Sequence, residues 1–169
     1  VNFGTIGNPR MFARAYGGNV MANGGTGGAA TGGTISLNIH GGTLNSGNNL
    51  LPSSFAQGGS AGTTATGIVN GGHAFGGQRN VSIINGTLNG SFAGGGPGAQ
   101  GGDGSALGTG GNGTGGTAIF FMDNGTINAT GNTSGAARVL AFTQNAGGRG
   151  MVGGNTGGGE GNVTIQNNR

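Results

Sequence analysis

A short segment recurs four times along the chain, and each copy carries two apolar residues two positions apart. The first apolar residue lies at position 37, 81, 120 or 163, so successive copies are 44, 39 and 43 residues apart. Side chains two residues apart lie on the same face of a β-strand. A constant motif at variable spacing predicts strands that stack coil upon coil, with loops absorbing the difference in length. The two predicted core columns are Leu37, Val81, Phe120 and Val163, and Ile39, Ile83, Met122 and Ile165.

A tight corner follows each of these strands. The pairs Asn85-Gly86 and Asn124-Gly125 occupy this place in two copies, and Gly41-Gly42 occupies it in another. Asn and Gly are the residues that accept the positive φ of a tight turn. The stacked asparagines are therefore expected to form a ladder of side-chain amide hydrogen bonds. The predicted ladder and turn residues are Asn85, Asn124 and Asn167.

Two further apolar elements accompany the repeat, so each repeat is predicted to contain three short strands. In the first, a large residue stands beside an alanine, and we expect the large residues to form another core column. These residues are Phe12, Phe55, Phe92 and Leu140. The second is a weaker pair between glycine tracts, at Val20-Met21, Ile68-Val69, Ala106-Leu107 and Met151-Val152.

Glycine accounts for 48 of the 169 residues, and this content disfavours helix, because an interior glycine costs about 1 kcal/mol relative to alanine. Ordering so many glycines also costs backbone entropy, which a regular ladder of backbone hydrogen bonds can offset. The prediction is an all-β fold, a glycine-rich β-solenoid (parallel β-helix) of four degenerate coils with almost no helix. The alternative is that the glycine tracts pack as a bundle of polyproline-II helices, since glycine permits the closest approach between chains.

The chain is predicted to be one repeat domain, 1–169, with repeats at about 34–77, 78–116, 117–159 and 160–169. The last repeat continues in register into 1–33 of a neighbouring copy, because the wrapped spacing from 163 to the next 37 is again 43 residues. Exposed strand edges invite pairing, and neither end shows a polar cap. We therefore expect a head-to-tail homopolymer; the alternative is a window cut from a longer array. The predicted seam residues are Val1, Asn2, Asn168 and Arg169.

Charge and side-chain chemistry argue against several classes of function. All six basic residues are arginines that lie apart, so nucleic acid is not an expected partner. No apolar run has the length of a membrane helix, so membrane insertion is not expected. The three acids, Asp103, Asp123 and Glu160, occupy non-equivalent repeat positions, and the chain has no cysteine. We therefore expect no enzyme activity, no metal site and no cofactor.

The clearest repeat reads Gly-Gly-Thr-Ala-Ile-Phe-Phe-Met-Asp-Asn-Gly-Thr-Ile-Asn at 115–128. It resembles the glycine-rich β-helical passengers of secreted bacterial adhesins and autotransporters. The resemblance implies an extracellular stack of parallel coils that serves surface adhesion or biofilm-matrix formation. We expect a structural subunit of a self-assembling extracellular filament or surface fibre. The alternative is an adhesin or phage tail tip that binds glycans or a receptor through loop residues such as His73, Phe75, Asn112 and Arg149.

Overall fold

The chain folds as a stack of parallel β-coils in the computed structural model, which describes residues 10–92, 96–128 and 143–167. Fourteen strands and no helix occur in these ranges, and the strands of successive coils pair in parallel. The prediction of an all-β, solenoid-like fold is confirmed. The strands are β1 Arg10–Tyr16, β2 Ala30–Thr31, β3 Thr34–His40, β4 Thr43–Gln57, β5 Ala74–Phe75, β6 Gln78–Ile84, β7 Thr87–Phe92, β8 Gly98–Gln100, β9 Gly113–Thr114, β10 Thr117–Asp123, β11 Thr126–Asn128, β12 Gln144–Ala146, β13 Thr156–Gly157 and β14 Glu160–Gln166.

Each coil visits three sheets, which we call faces I, II and III. Face I contains β3, β6, β10 and β14, and face III contains β2, β5, β9 and β13. Face II is the six-stranded sheet of β1, β4, β7, β8, β11 and β12. The 15-residue strand β4 spans the width of face II, because its first part pairs with β7 while its second part pairs with β1 and β8. The coils are 10–42, 43–86, 87–125 and 126–167, and the end nearest residue 10 is the lower end.

Face I carries the strongest sequence repeat, and its strands stack without a shift in register. Leu37 pairs with Val81, Val81 with Phe120 and Phe120 with Val163. The neighbouring column runs through Ile39, Ile83, Met122 and Ile165 in the same order. The four strands begin at residues 34, 78, 117 and 160, where the four repeats begin in the sequence. Alternation along each strand directs these two columns towards the interior.

The interior has two parts that differ in the size of their side chains. Between face I and the first part of face II lies a cluster of large buried residues: Ile39, Leu44, Val81, Ile83, Leu88, Phe120 and Met122. Between the second part of face II and face III the cluster consists of alanines: Ala30, Ala56, Ala74 and Ala99, with Ala15 packed against it. The coil is thus wide at face I and narrow where faces II and III meet.

This narrowness shows that the prediction of a core column at Phe12 and Phe55 is wrong. Phe12 is 48% exposed and pairs with Ser53, whereas Phe55 pairs with Arg14 on one side and Gly98 on the other. On both strands the alanines occupy the inner face and the phenylalanines the outer face, because the space opposite face III accommodates only a methyl group. Phe92 belongs to β7, where its backbone pairs with Leu50, and Leu140 lies outside the described residues.

The corners of face I have the backbone conformation that the Asn-Gly pairs indicate. Asn85, Asn124 and Asn167 have φ of 49°, 47° and 53°, and Gly41 has φ of 64° at the equivalent corner. Asn124 Nδ2 donates to Asn85 Oδ1 at 2.8 Å, so the first rung of the predicted amide ladder exists. The next rung differs, because Asn167 Nδ2 donates to Asp123 Oδ1 and not to Asn124.

The weaker apolar pairs between the glycine tracts are not strands, so the prediction that they supply the third strand of each repeat is wrong; the short strands of face III take that place. Val20 pairs with Ala61 and Val152 with Thr109 as isolated bridges, so the four pairs are also not equivalent to one another. Val69 is fully buried, but each coil exposes at least one large apolar side chain at these tips, and the fourth coil also exposes Val152. The other exposed residues are Met21, Ile68, Leu107 and Met151.

Candidate assembly surfaces

A column of paired glycines joins all four coils, and it is the feature of the fold that the sequence reasoning missed. Each coil contains two Gly-Gly pairs that pack against each other beyond the narrow alanine core. We call these pairs the glycine seam. Its members are 17–18 and 27–28, 58–59 and 71–72, 101–102 and 110–111, and 147–148 and 153–154.

Backbone hydrogen bonds run up the glycine seam in a zigzag. Gly72 N–H donates to Gly59 O within one coil at 2.8 Å, and Gly59 N–H donates to Gly28 O of the coil below at 2.9 Å. This alternation continues from Gly154 down to Gly18. The first glycine of a pair bonds to the coil above; for example, Gly58 N–H donates to Gln100 O at 2.9 Å. The glycine tracts therefore do pack against one another closely, as the bundle alternative supposed, but as part of a β-coil.

Only glycine fits in the interior of this seam. A Cβ built on Gly59 would overlap Gly18 O, and one built on Gly72 would overlap Gly28 O. Both obstacles are backbone atoms, which cannot rotate away as the end of a side chain can. Gly-Gly recurs at three equivalent places in each coil, the third being 32–33, 76–77, 115–116 and 158–159, and this recurrence is the sequence signal that would have identified the glycine seam.

Polar side chains next to the glycine seam connect successive coils, mostly with the donor in the upper coil and the acceptor in the lower coil; the N–H of Val69, which donates upward to Ser105 Oγ at 3.1 Å, is the reverse case. Asn19 Oδ1 accepts the backbone N–H of Ser60 at 2.8 Å, and Ser60 Oγ accepts that of Asp103 at 3.0 Å. Asp103 Oδ1 then accepts the N–H of Arg149 at 2.6 Å. In this column the upper coil donates and the lower coil accepts, so the column has a polarity along the stack.

A second column on the other side of the seam has the same polarity. His73 Nδ1 accepts the N–H of Asn112 at 3.0 Å, and Asn112 Oδ1 accepts the N–H of Asn155 at 2.9 Å. On face II, Asn128 Nδ2 donates to Asn89 Oδ1 at 2.8 Å and Asn89 Nδ2 to Asn45 Oδ1 at 2.6 Å. At the top of these last two ladders, Asn155 and Asn128 carry side-chain amide oxygens of the kind that accept hydrogen bonds lower in the stack.

The upper end of the stack is an open strand edge with apolar side chains. Every residue of β14 is exposed, whereas the equivalent strands β6 and β10 alternate between buried and partly exposed positions. Val163 and Ile165 are 49% and 51% exposed, although Phe120 and Met122 below them are 3% and 7% exposed. These two side chains therefore continue the core columns at the exposed edge of face I.

The lower end carries an apolar cleft in the same two columns. Leu37, Asn38, Ile39 and Leu44 line this cleft, which has a volume of about 180 Å³. Leu37 and Val163 belong to one column of face I, and Ile39 and Ile165 belong to the other. The same two columns of face I therefore reach both described ends of the stack. The residues predicted from the sequence to form the junction between two copies, Val1, Asn2, Asn168 and Arg169, lie outside the described residues.

The loop residues predicted for recognition do not form one cluster. His73 and Asn112 belong to the same ladder and hydrogen-bond to each other. Arg149 lies in the opposite column, where its backbone N–H donates to Asp103. The Phe75 side chain is 48% exposed on face III. The ring nitrogen of His73 and the amide oxygen of Asn112 are therefore used in holding coils together.

The acids are also dispersed in the structure. Asp103 belongs to a ladder beside the glycine seam, and Asp123 Oδ1 accepts a hydrogen bond from Asn167 at the end of face I. Glu160 begins β14. Within the described ranges no three His, Cys, Asp or Glu side chains gather in a group suited to a metal ion. A helix with the length and apolar character to cross a membrane is likewise not found there.

Comparison with protein families, with curated proteins and with solved structures gave no match for this chain.

Proposed function

We propose that this chain is a structural subunit of an extracellular filament or surface fibre, in which copies stack head to tail. The observation that carries the proposal is the continuity of the two face I columns, which reach both described ends of the stack. The upper end offers half-exposed Val163 and Ile165, and the lower end offers the apolar cleft formed by Leu37, Ile39 and Leu44. No catalytic step is part of this function.

The contacts between two stacked copies would be of the same kind as the contacts between successive coils within the chain. Strand β3 of a second copy placed on β14 adds a parallel ladder of seven residues, the length of each existing pairing on face I. Covering the exposed halves of Val163 and Ile165 contributes roughly 2 kcal/mol. Two polar ladders support the same orientation, since the amide oxygens of Asn128 and Asn155 at the upper end of one copy are available to accept hydrogen bonds from the lower end of the next. Two upper ends brought together lack this complementarity.

Substitution at the upper end tests the proposal. Ile165→Asp places a charge in the joint, while Thr164→Asp places the same charge on the outward face of the same strand. Electron microscopy is expected to show fibres of the wild-type chain and of the Thr164→Asp variant, and dispersed particles of the Ile165→Asp variant. Dispersed wild-type particles throughout a concentration series would refute the filament.

Mixing the variants with the wild-type chain tests the polarity. An Ile165→Asp copy keeps an intact lower end, so it binds the upper end of a growing fibre and blocks further addition. A small fraction of this variant is therefore expected to shorten wild-type fibres, whereas the same fraction of Thr164→Asp leaves their length unchanged. Equal fibre lengths in both mixtures would contradict head-to-tail stacking.

A glycan-binding adhesin is the second function that we propose. A separate observation favours it, namely the aromatic side chains that β1 and β4 display on the outer surface of face II. Phe12 and Tyr16 are both exposed there. A glycan array tests this function, and binding to no glycan would contradict it.

A further inference from the structure

The outer surface of face II carries a cleft that combines aromatic rings with a cation. Alternation along β1 directs Arg14 and Tyr16 outward, and the neighbouring strand β4 adds Ser53 and Phe55. These four residues line a cleft of about 320 Å³. This volume lies at the lower end of the range of small-ligand pockets, roughly 300–1,000 Å³. It suits a single ring of a larger ligand.

The aromatic wall of the cleft is held in place by its neighbours. A Cβ built on Gly98 would lie 3.1 Å from Phe55 Cδ2, so the Phe55 ring packs over a position that has no side chain. The Arg14 guanidinium carbon lies 4.7 Å from the centroid of the Phe12 ring. This contact orients the guanidinium by a cation–π interaction. The cleft is therefore a preformed surface on a paired sheet.

The cation in the cleft has no carboxylate beside it. The chain has three acids in all, and they lie in the third and fourth coils, whereas Arg14 lies in the first. An arginine fork exposed in this way matches the geometry of a carboxylate, to which it donates two parallel hydrogen bonds. The charge of the cleft therefore favours an acidic ligand.

We infer that this cleft binds an acidic saccharide through a carboxylate-bearing sugar such as a uronic acid. Arg14 binds the carboxylate, Tyr16 and Phe55 cover the apolar face of the sugar ring, and Ser53 hydrogen-bonds to a sugar hydroxyl. The inference rests on the glycan-binding proposal and is independent of filament assembly. It places the binding site on face II and not at the loop residues predicted from the sequence.

The chain contains its own probe for this test. Tyr16 is the one tyrosine of the sequence and there is no tryptophan, so intrinsic tyrosine fluorescence reports on the cleft. Titration of the full chain with trigalacturonate is expected to change this emission saturably, and the neutral control maltotriose leaves it unchanged. The apparent affinity is expected to fall as salt is added, because the contact with Arg14 is partly exposed.

Variants separate this site from other glycan sites. Arg14→Ala is expected to weaken trigalacturonate binding by about tenfold or more, with a smaller loss for Arg14→Lys, which keeps the charge without the fork. Arg149→Ala removes the same charge at the glycine tips and leaves binding unchanged. Gly98→Ala displaces the Phe55 ring and weakens binding without altering the charge.

Three results would overturn the inference. If the wild-type chain and the Arg14→Ala variant bind trigalacturonate equally well, the protein binds glycans at a site other than this cleft. The absence of a saturable change up to about 10 mM trigalacturonate refutes the site, because a specific contact of this kind exceeds the roughly 3 kcal/mol that such a limit represents. If the Tyr16 emission changes with protein concentration in the absence of saccharide, the cleft is instead a contact surface between copies of the chain.

Discussion

At the scale of single residues, the absence of a side chain decides where the coils meet. Gly72 is a member of the seam whose missing Cβ leaves room for the backbone of the coil below. Its N–H donates to Gly59 O, and its carbonyl accepts from Gly102. The glycine is therefore required by close approach of backbones, and not by a special φ.

Gly72→Ala is expected to destabilise the chain by at least about 2 kcal/mol, because backbone atoms must shift to admit the methyl group. The matched control is Gly158→Ala, at a glycine whose Cβ would have nothing within 4 Å. That variant is expected to match the wild-type chain or to be slightly more stable, since alanine restricts the unfolded chain. Urea denaturation followed by circular dichroism measures both. Equal stability of the two variants would contradict the claim that the interior of the glycine seam has room only for glycine.

Arg79 is a residue that the sequence analysis treated as one of several scattered cations. The structure places it on the inner face of β6, 4% exposed, between Ile35 and Ala118 of the neighbouring strands. Burial lowers the pKa of its guanidinium from the ordinary value. Its position two residues before Val81, in the alternating pattern of the core columns, is the signal that indicates an inward side chain.

At the scale of elements, equivalent strands differ in burial according to their place in the stack. Ile83 of β6 is fully buried and Ile165 of β14 is half exposed, although both belong to one column. The same residue type therefore contributes differently in a central strand and in an edge strand. This contrast can be measured directly.

Ile83→Ala is expected to cost about 2–5 kcal/mol, because it leaves a cavity between two packed coils. Ile165→Ala is expected to cost about 1 kcal/mol or less in the dispersed chain, since half of that side chain is in water. Denaturation at low protein concentration compares the two variants with the wild-type chain. A similar loss in both would show that β14 is covered in the dispersed state.

At the scale of the whole molecule, the stack has a direction and no closed end among the described strands. The core columns, the glycine seam and the polar ladders all run parallel to the stack axis. Each coil is stabilised chiefly by the coils above and below it, as in other repeat proteins. Stability should therefore rise with the number of stacked coils.

Two copies joined in tandem by a short Gly-Ser linker are expected to unfold at a higher temperature than one copy, by about 5 °C or more, because one additional joint is formed. Calorimetry measures this difference at equal mass concentration. The control tandem carries Ile165→Asp in its first copy, which removes the joint and with it the gain. An equal unfolding temperature for the single chain and the unmodified tandem would contradict stacking.

Much of face I followed from local signals in the sequence. The columns of Leu37 and Ile39 depend on alternation along a strand, and the corners at Asn85 and Asn124 depend on which residues tolerate positive φ. Both are properties of a few neighbouring residues, so they could be recognised without knowledge of the rest of the fold. The spacing of the repeat indicated a parallel stack, and the glycine content indicated the absence of helix.

The tertiary structure decided what distant segments do to one another. Whether Phe12 or Ala13 faces inward depends on the distance between faces II and III. This distance is short because, next to the alanine core, the two Gly-Gly pairs of each coil pack backbone against backbone. The exposure of Val163, at the end of a column whose central members are buried, likewise depends on its place in the stack. The local sequence pattern determines the repeat period and the turns of this chain. The distances between its faces are determined by the tertiary structure, because they depend on which backbone segments approach so closely that no side chain fits between them.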